Sequence, residues 1–346
     1  AFLGVIFARP ILSALGIDED VMHLSLPYVQ WMLAGSPLLF VYIIYTSILR
    51  GVGDSTTPLI ASGMTILIGF CVTPVLIAGY FGFPKLGIVA PAIATILGFV
   101  SVLTFLYFYL NYKQHPLRLD AQLLRHIRFD RQLSKIILRL GVPTGIQMIT
   151  TSVAGLVIVG LVNRHGADAT AAYGAVNQVL NYIQFPALSI AIAASIFGAQ
   201  AIGAGKSELL AKVTRTALGM NITITGSLVV LAYLFSKYLM ALFITDHAVV
   251  ELGQQLLFIV LWSILFFGAS AIFASIMRAS GTVTMPMIIN IIAIIAIEVP
   301  CAYLFSEWWG LQGIWYAYAL AFVSLCIMQG LYYQLVWKKK TIETLI

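Results

Sequence analysis

The chain has 346 residues, and only 9% of them are Asp, Glu, Lys or Arg, against about 25% in an ordinary soluble domain. Hydrophobic residues make up 61% and the mean hydropathy is +0.99. That is more apolar surface than one soluble core can hide, so much of it must face lipid. The formal charge of +6 does not mark a nucleic-acid partner, because the basic residues fall in short loops between apolar spans instead of along one face.

In chain order, residues 1–16 read as the end of a helix. They open directly in apolar sequence without a basic leader, so they lack the form of a signal peptide. Nine spans follow, at about 26–49, 58–81, 86–110, 140–162, 170–200, 213–243, 254–277, 286–305 and 311–336. Each is long enough to cross the hydrocarbon as a helix, the form that pairs its own backbone groups where no water can. One set of loops carries Arg50, the run from Lys113 to Arg139, then Lys206, Lys212, Arg215, Arg278 and Lys338 to Lys340. Those are 15 of the 19 basic residues. The positive-inside rule therefore predicts that the 111–139 linker and the C-terminus are cytoplasmic. Aromatics at span ends, among them Tyr28, Trp31, Trp308, Trp309, Tyr332, Tyr333 and Trp337, suit interface belts. Cys71, Cys301 and Cys326 lie inside apolar stretches without metal-ligand spacing and read as small core hydrophobes.

An internal repeat organises these spans. Residues 46–58 read TSILRGVGDSTTP and residues 274–286 read ASIMRASGTVTMP. They match at Ser47/Ser275, Ile48/Ile276, Arg50/Arg278, Gly53/Gly281, Thr56/Thr284 and Pro58/Pro286, all at one offset of 228. The register extends back to Asp18/Asp246 and, after a two-residue slip, forward through Pro74/Pro300 and Gly87/Gly313. Six spans fall within one period, so equivalent helices point the same way. The expected fold is an all-α polytopic membrane protein of two six-helix bundles related by a parallel repeat. Twelve helices are expected in all and about nine and a half here, as Pro143 less the offset falls before residue 1. Residues 1–110 would be the incomplete first bundle, 111–139 a basic, partly amphipathic cytoplasmic linker, 140–337 the complete second bundle and 338–346 a cytoplasmic tail. A pseudo-twofold axis along the bilayer normal would relate the bundles.

Several segments, taken together and in order, resemble the multidrug and toxic compound extrusion (MATE) family. They are Arg50-Gly51-Val52-Gly53-Asp54 closing with Thr57-Pro58, Leu140-Gly141-Val142-Pro143, the run Gly198-Ala199-Gln200 to Gly205-Lys206, and Glu298-Val299-Pro300-Cys301-Ala302-Tyr303. The resemblance covers nearly the whole chain. It implies two lobes around a central cleft in the plasma (bacterial inner) membrane, exporting cationic or amphipathic compounds against entry of H+ or Na+, without ATP or any cofactor. Family acids are missing at the positions aligned with Thr151 and near Phe267, and a family Asn-x-x-x-Asp-Pro pattern reads Gly69, Thr73 and Pro74 here. The resemblance therefore leaves H+ and Na+ both open.

Glu298 is the one acid well inside a span. A carboxylate at mid-membrane costs about 2.5–3.5 kcal/mol on insertion scales, so it must face a cavity or be kept neutral. It either binds a proton or a cationic substrate, or forms a hydrogen bond across its lobe. Asn177, Asn181 and Gln184 recur at helical spacing as one polar stripe, with Gln147 and Thr151 expected opposite. The stripe either lines a substrate cleft or holds helices together by interhelical bonds of about 0.6 kcal/mol each. Asn290 is a further candidate near a span end. Arg50, Asp54 and Arg278 sit in tight loops and read as helix-positioning or gate residues.

Gly205-Lys206-Ser207 is not a Walker A loop, because Gln200 stands where the first Gly belongs and a membrane helix precedes it. The five histidines are scattered, giving neither a metal cluster nor a base beside a nucleophile. No enzyme chemistry, metal site or cofactor pattern is expected. The sequence also admits two other functions: a flippase for an anionic lipid-linked envelope precursor, which calls for Arg or Lys inside the cleft, and a non-transporting membrane scaffold.

Overall fold

The computed structural model describes residues 1–14, 19–115, 117–118 and 130–340. Residues 116 and 119–129 of the 111–139 linker and the last six residues of the tail lie outside the described residues, and so does Asp18 of the extended repeat register. The chain is an all-α polytopic membrane protein: among the described residues, nine helices are long and apolar enough to cross a bilayer. We label the helices α1 (Phe2–Ala14), α2 (Glu19–Gly51), α3 (Thr56–Ala78), α4 (Gly87–Tyr112), α5 (Arg131–Asn163), α6 (Ala167–Gly203), α7 (Leu209–Leu234), α8 (His247–Ala279), α9 (Thr284–Trp309) and α10 (Leu311–Leu335). A short helix, Ser236–Ala241, follows α7.

Most of these helices outrun the apolar windows that predict them, α5 by nine residues at its start. The hydropathy window marks only the hydrocarbon part, whereas polar residues cap the ends beyond it. Asp130 accepts from the amides of Gln132 and Leu133 at the start of α5. Asp246 accepts from those of Ala248 and Val249 at the start of α8.

The helices group into two compact units, Ala1–Arg128 and Phe129–Ile346. In the first, α2 packs on α1, α3 and α4, and Leu49, Ala61, Val102, Leu106 and Leu110 form its largest buried cluster. In the second, α6 packs on α8, α8 on α10, α10 on α9, α9 on α5 and α5 on α6, with α7 against α6 and α8. One buried cluster gathers Ile158, Tyr173, Leu256, Val260, Ala302 and Trp315 toward one end of these helices. Another gathers Ala194, Leu210, Ile276, Tyr333 and Trp337 toward the other.

Trp337 departs from the interface-belt expectation. It is 2% exposed, stacks on Tyr333 at a centroid distance of 5.1 Å and donates its indole N–H to Ser280 Oγ at 3.0 Å. A polar loop partner within reach makes burial of the indole favourable despite its place at a helix end. Trp308, Trp309 and Trp31 are exposed, as belt residues are.

Candidate functional site

Glu298 closes a π-helical turn, Ala293–Glu298, inside α9. Pro300 has no N–H to give the carbonyl of Ala296, and a wider turn just before it relieves the ring's clash with that carbonyl; such turns recur at functional sites. Glu298 is half-buried, and its helix packs on α10, which carries Tyr318. Tyr318 in turn shares a 3.0 Å hydrogen bond with the Tyr173 phenol of α6. Trp315 lies against both rings, at centroid distances of 5.4 Å to Tyr173 and 5.5 Å to Tyr318. The wall continues through Phe322, 6.2 Å from Tyr318, to Phe267 of α8, 5.2 Å from Phe322. Four packed helices thus carry a carboxyl, two phenols and further aromatic faces, a combination suited to an organic cation.

The other sequence candidates take varied places. Asn177 is half-buried one turn beyond Tyr173 and donates to the Tyr173 carbonyl at 3.1 Å. Asn181 is exposed and Gln184 half-buried on the same helix. On α5, Thr151 is exposed and donates to the carbonyl of half-buried Gln147 at 3.0 Å. Among the described residues, no hydrogen bond joins Gln147 or Thr151 to the amide stripe. Asn290 is half-buried one turn after Pro286, and its Oδ1 is buried without a hydrogen-bond partner among the described residues.

Arg50 donates to Ser47 Oγ at 3.1 Å, and Arg278 donates to Ser275 Oγ at the same distance. Asp54 accepts from the Thr57 amide at 3.0 Å and from the Thr57 hydroxyl at 2.6 Å. His115 Nε2 stands 3.9 Å from Asp54 Oδ2, the oxygen that also accepts the Thr57 hydroxyl. Desolvation works to raise the Asp54 pKa, but the bonds from Thr57 and the nearby His115 outweigh it and hold the carboxyl below its ordinary range.

Two buried amides escaped sequence reasoning. Asn221, 1% exposed, donates to the Leu265 carbonyl of α8 at 3.0 Å, and Gly268 leaves room for it, since a Cβ there would overlap Oδ1. Gln329, 2% exposed, donates to the Pro286 carbonyl at 3.1 Å. The available signal was a lone amide within an apolar span, which must find a partner in another helix. Tyr173 and Tyr318 gave no signal, being two among 16 tyrosines.

The MatE family model matches residues 1–75 and 143–304. A probable multidrug resistance protein of Bacillus subtilis, YoeA, is 44% identical over the whole of this chain and 75% of its own length. A probable multidrug resistance protein NorM of Thermotoga maritima is 28% identical over 90% of this chain and 69% of its own. An FAD transporter of Shewanella oneidensis is 25% identical over 96% and 72%. A crystal structure of a MATE protein in a straight conformation superposes with a TM-score of 0.88 at 20% identity, covering 96% of this chain and 74% of that one.

Proposed function

This chain belongs to the MatE family, and from that premise we propose that it is a secondary-active exporter of cationic or amphipathic drugs, coupled to H+ or Na+ entry. Two lobes would open a shared cleft alternately to either side of a bacterial inner membrane, with the loops rich in Lys and Arg and the C-terminus in the cytoplasm. The observation that carries the reading is the half-buried Glu298 at a π-helical turn of α9, the helix packed on α10 and its Tyr318–Tyr173 pair. In this role Glu298 takes the positive charge, as a coupling ion or as the cargo itself. Phe267, Phe322 and Tyr318 offer flat apolar faces to a lipophilic cation.

The charge of the second unit favours cationic over anionic cargo. Among its described residues, Lys and Arg fall at span ends or in the segments joining spans, at Arg131, Lys135, Arg139, Arg164, Lys206, Lys212, Arg215, Lys237, Arg278 and Lys338 to Lys340. A flippase for an anionic lipid precursor, or a carrier of an anion such as the FAD named for the Shewanella relative, calls for cationic groups deep in the cleft. A non-transporting scaffold has no use for a carboxyl at mid-membrane.

Ethidium accumulation in cells expressing the full-length gene tests this reading. Expression should lower accumulation, Glu298→Gln should restore it at equal membrane abundance, and Glu298→Asp should keep part of the effect. Accumulation unchanged by the wild-type protein across several cationic dyes would refute export.

A further inference from the structure

Away from Glu298, α6 and α7 part over a lateral groove of about 610 Å3. Ile190, Ala194 and Ala217 belong to the buried cluster beneath it, while Phe197 and Met220 line it and are 61% and 45% exposed. Lys212 is the one charged side chain of the lining, in the first turn of α7, and Thr216 follows one helical turn later. Lys206 and Arg215 stand at this same end of the helix pair, with Glu208 the acid between them.

Both walls are membrane-spanning helices, so an exposed apolar recess between them is a hydrocarbon surface. Its one charge sits at one end, and the Ser189 hydroxyl toward the other end is spent on the Phe185 carbonyl of its own helix, which gives the groove the polarity of a lipid, tail along the apolar length and head at the Lys212 rim. The sign of the rim excludes the cationic cargo proposed above, because Lys212 repels it. Basic pockets between transmembrane helices take anionic head groups, each Lys near the surface contributing about 1 kcal/mol.

We propose that this groove is a site for one anionic phospholipid, an acyl chain lying between α6 and α7 and the phosphate on Lys212. The site depends on these helices spanning the membrane and not on the transport reading, so either stands if the other fails.

Native mass spectrometry of the purified full-length protein tests it, with phosphatidylglycerol and phosphatidylcholine of identical chains as probes. The wild-type protein should keep a phosphatidylglycerol adduct in preference to phosphatidylcholine. Lys212→Gln should lower that preference about fivefold. Ala193→Trp, which fills the groove, should deplete the bound adduct of both lipids. Circular dichroism of each variant should match wild type, and Lys212→Gln, altering an exposed side chain, keeps the test open if the tryptophan variant misfolds. Equal retention of the two lipids by the wild-type protein, or a preference untouched by Lys212→Gln, would overturn the proposal. So would a groove closed by another segment of the full-length protein, seen as no adduct at all.

Discussion

The loop between α2 and α3 and the loop between α8 and α9 share one backbone turn and differ in what ties it down. In the first, Gly53 has φ 93° and donates to the Arg50 carbonyl at 3.0 Å, and Asp54 donates to the Leu49 carbonyl at 3.0 Å. In the second, Gly281 has φ 80° and donates to the Arg278 carbonyl at 2.9 Å, and Thr282 donates to the Met277 carbonyl at 3.0 Å. With the matching Arg–Ser bonds, the offset of 228 seen in the sequence carries into hydrogen bonds one by one. The fastenings are unlike. Asp54 caps the next helix through Thr57 and faces His115, just past the end of α4. Ser280 instead receives the Trp337 indole, just past the end of α10. The turn therefore follows from what repeats, and the tie from residues outside the matched positions.

Cutting the ties separately breaks the comparison most strongly at Trp337. Trp337→Ala removes a buried aromatic and should cost about 3–5 kcal/mol, read as a lower unfolding midpoint in detergent. Hydrogen exchange should rise at residues 278–286 and stay unchanged at residues 50–58. Faster exchange in both loops would show that the ties are not local.

The shared turn predicts equal sensitivity at its glycines. Gly53→Ala and Gly281→Ala each place a Cβ at positive φ and should destabilise by about 1–3 kcal/mol, with the two values agreeing to within the error of the melt. A large inequality would mean that the loops only look alike.

Asp54→Asn weakens a helix-start interaction and should cost about 1 kcal/mol, with a pH signature that Ser280→Ala lacks. The folded pKa of Asp54 is lowered from its ordinary value of 3.8. Its stabilisation is therefore present above 3.8 and is lost as pH falls through the lowered value. Exchange at residues 50–58 should accelerate in that acid window, while residues 278–286, tied through Ser280 and Trp337, should not follow. The smallest effect belongs to the arginines. Arg50→Ala and Arg278→Ala each delete one bond to a serine hydroxyl, exposed at Arg50 and part-buried at Arg278, and should shift stability by about 0.5 kcal/mol.

The sequence carries the spans, the turn glycines and the arginine loops, because each has a local cause: apolar length, positive φ, or charge that cannot enter lipid. It does not carry the pairings made by helices far apart in the chain. Nothing near Trp337 announces Ser280, and an aromatic at a helix end reads equally as a belt residue until its depth is known. Glu298 is legible alone, as an acid in an apolar span. Its setting is not, since Tyr173 lies 145 residues from Tyr318 and helix packing alone unites them. Asn221 and Gln329 show the same limit from the opposite side, visible as amides in lipid but with carbonyl partners on other helices.

Transport by purified full-length protein in proteoliposomes bears most directly on the central claim, that Glu298 carries the positive charge exchanged across the membrane. Under an imposed inward gradient of H+ or Na+, wild-type protein should move ethidium against its own gradient, and Glu298→Gln should abolish gradient-driven movement while remaining folded. Gradient-driven ethidium transport by Glu298→Gln at the wild-type rate would contradict the account.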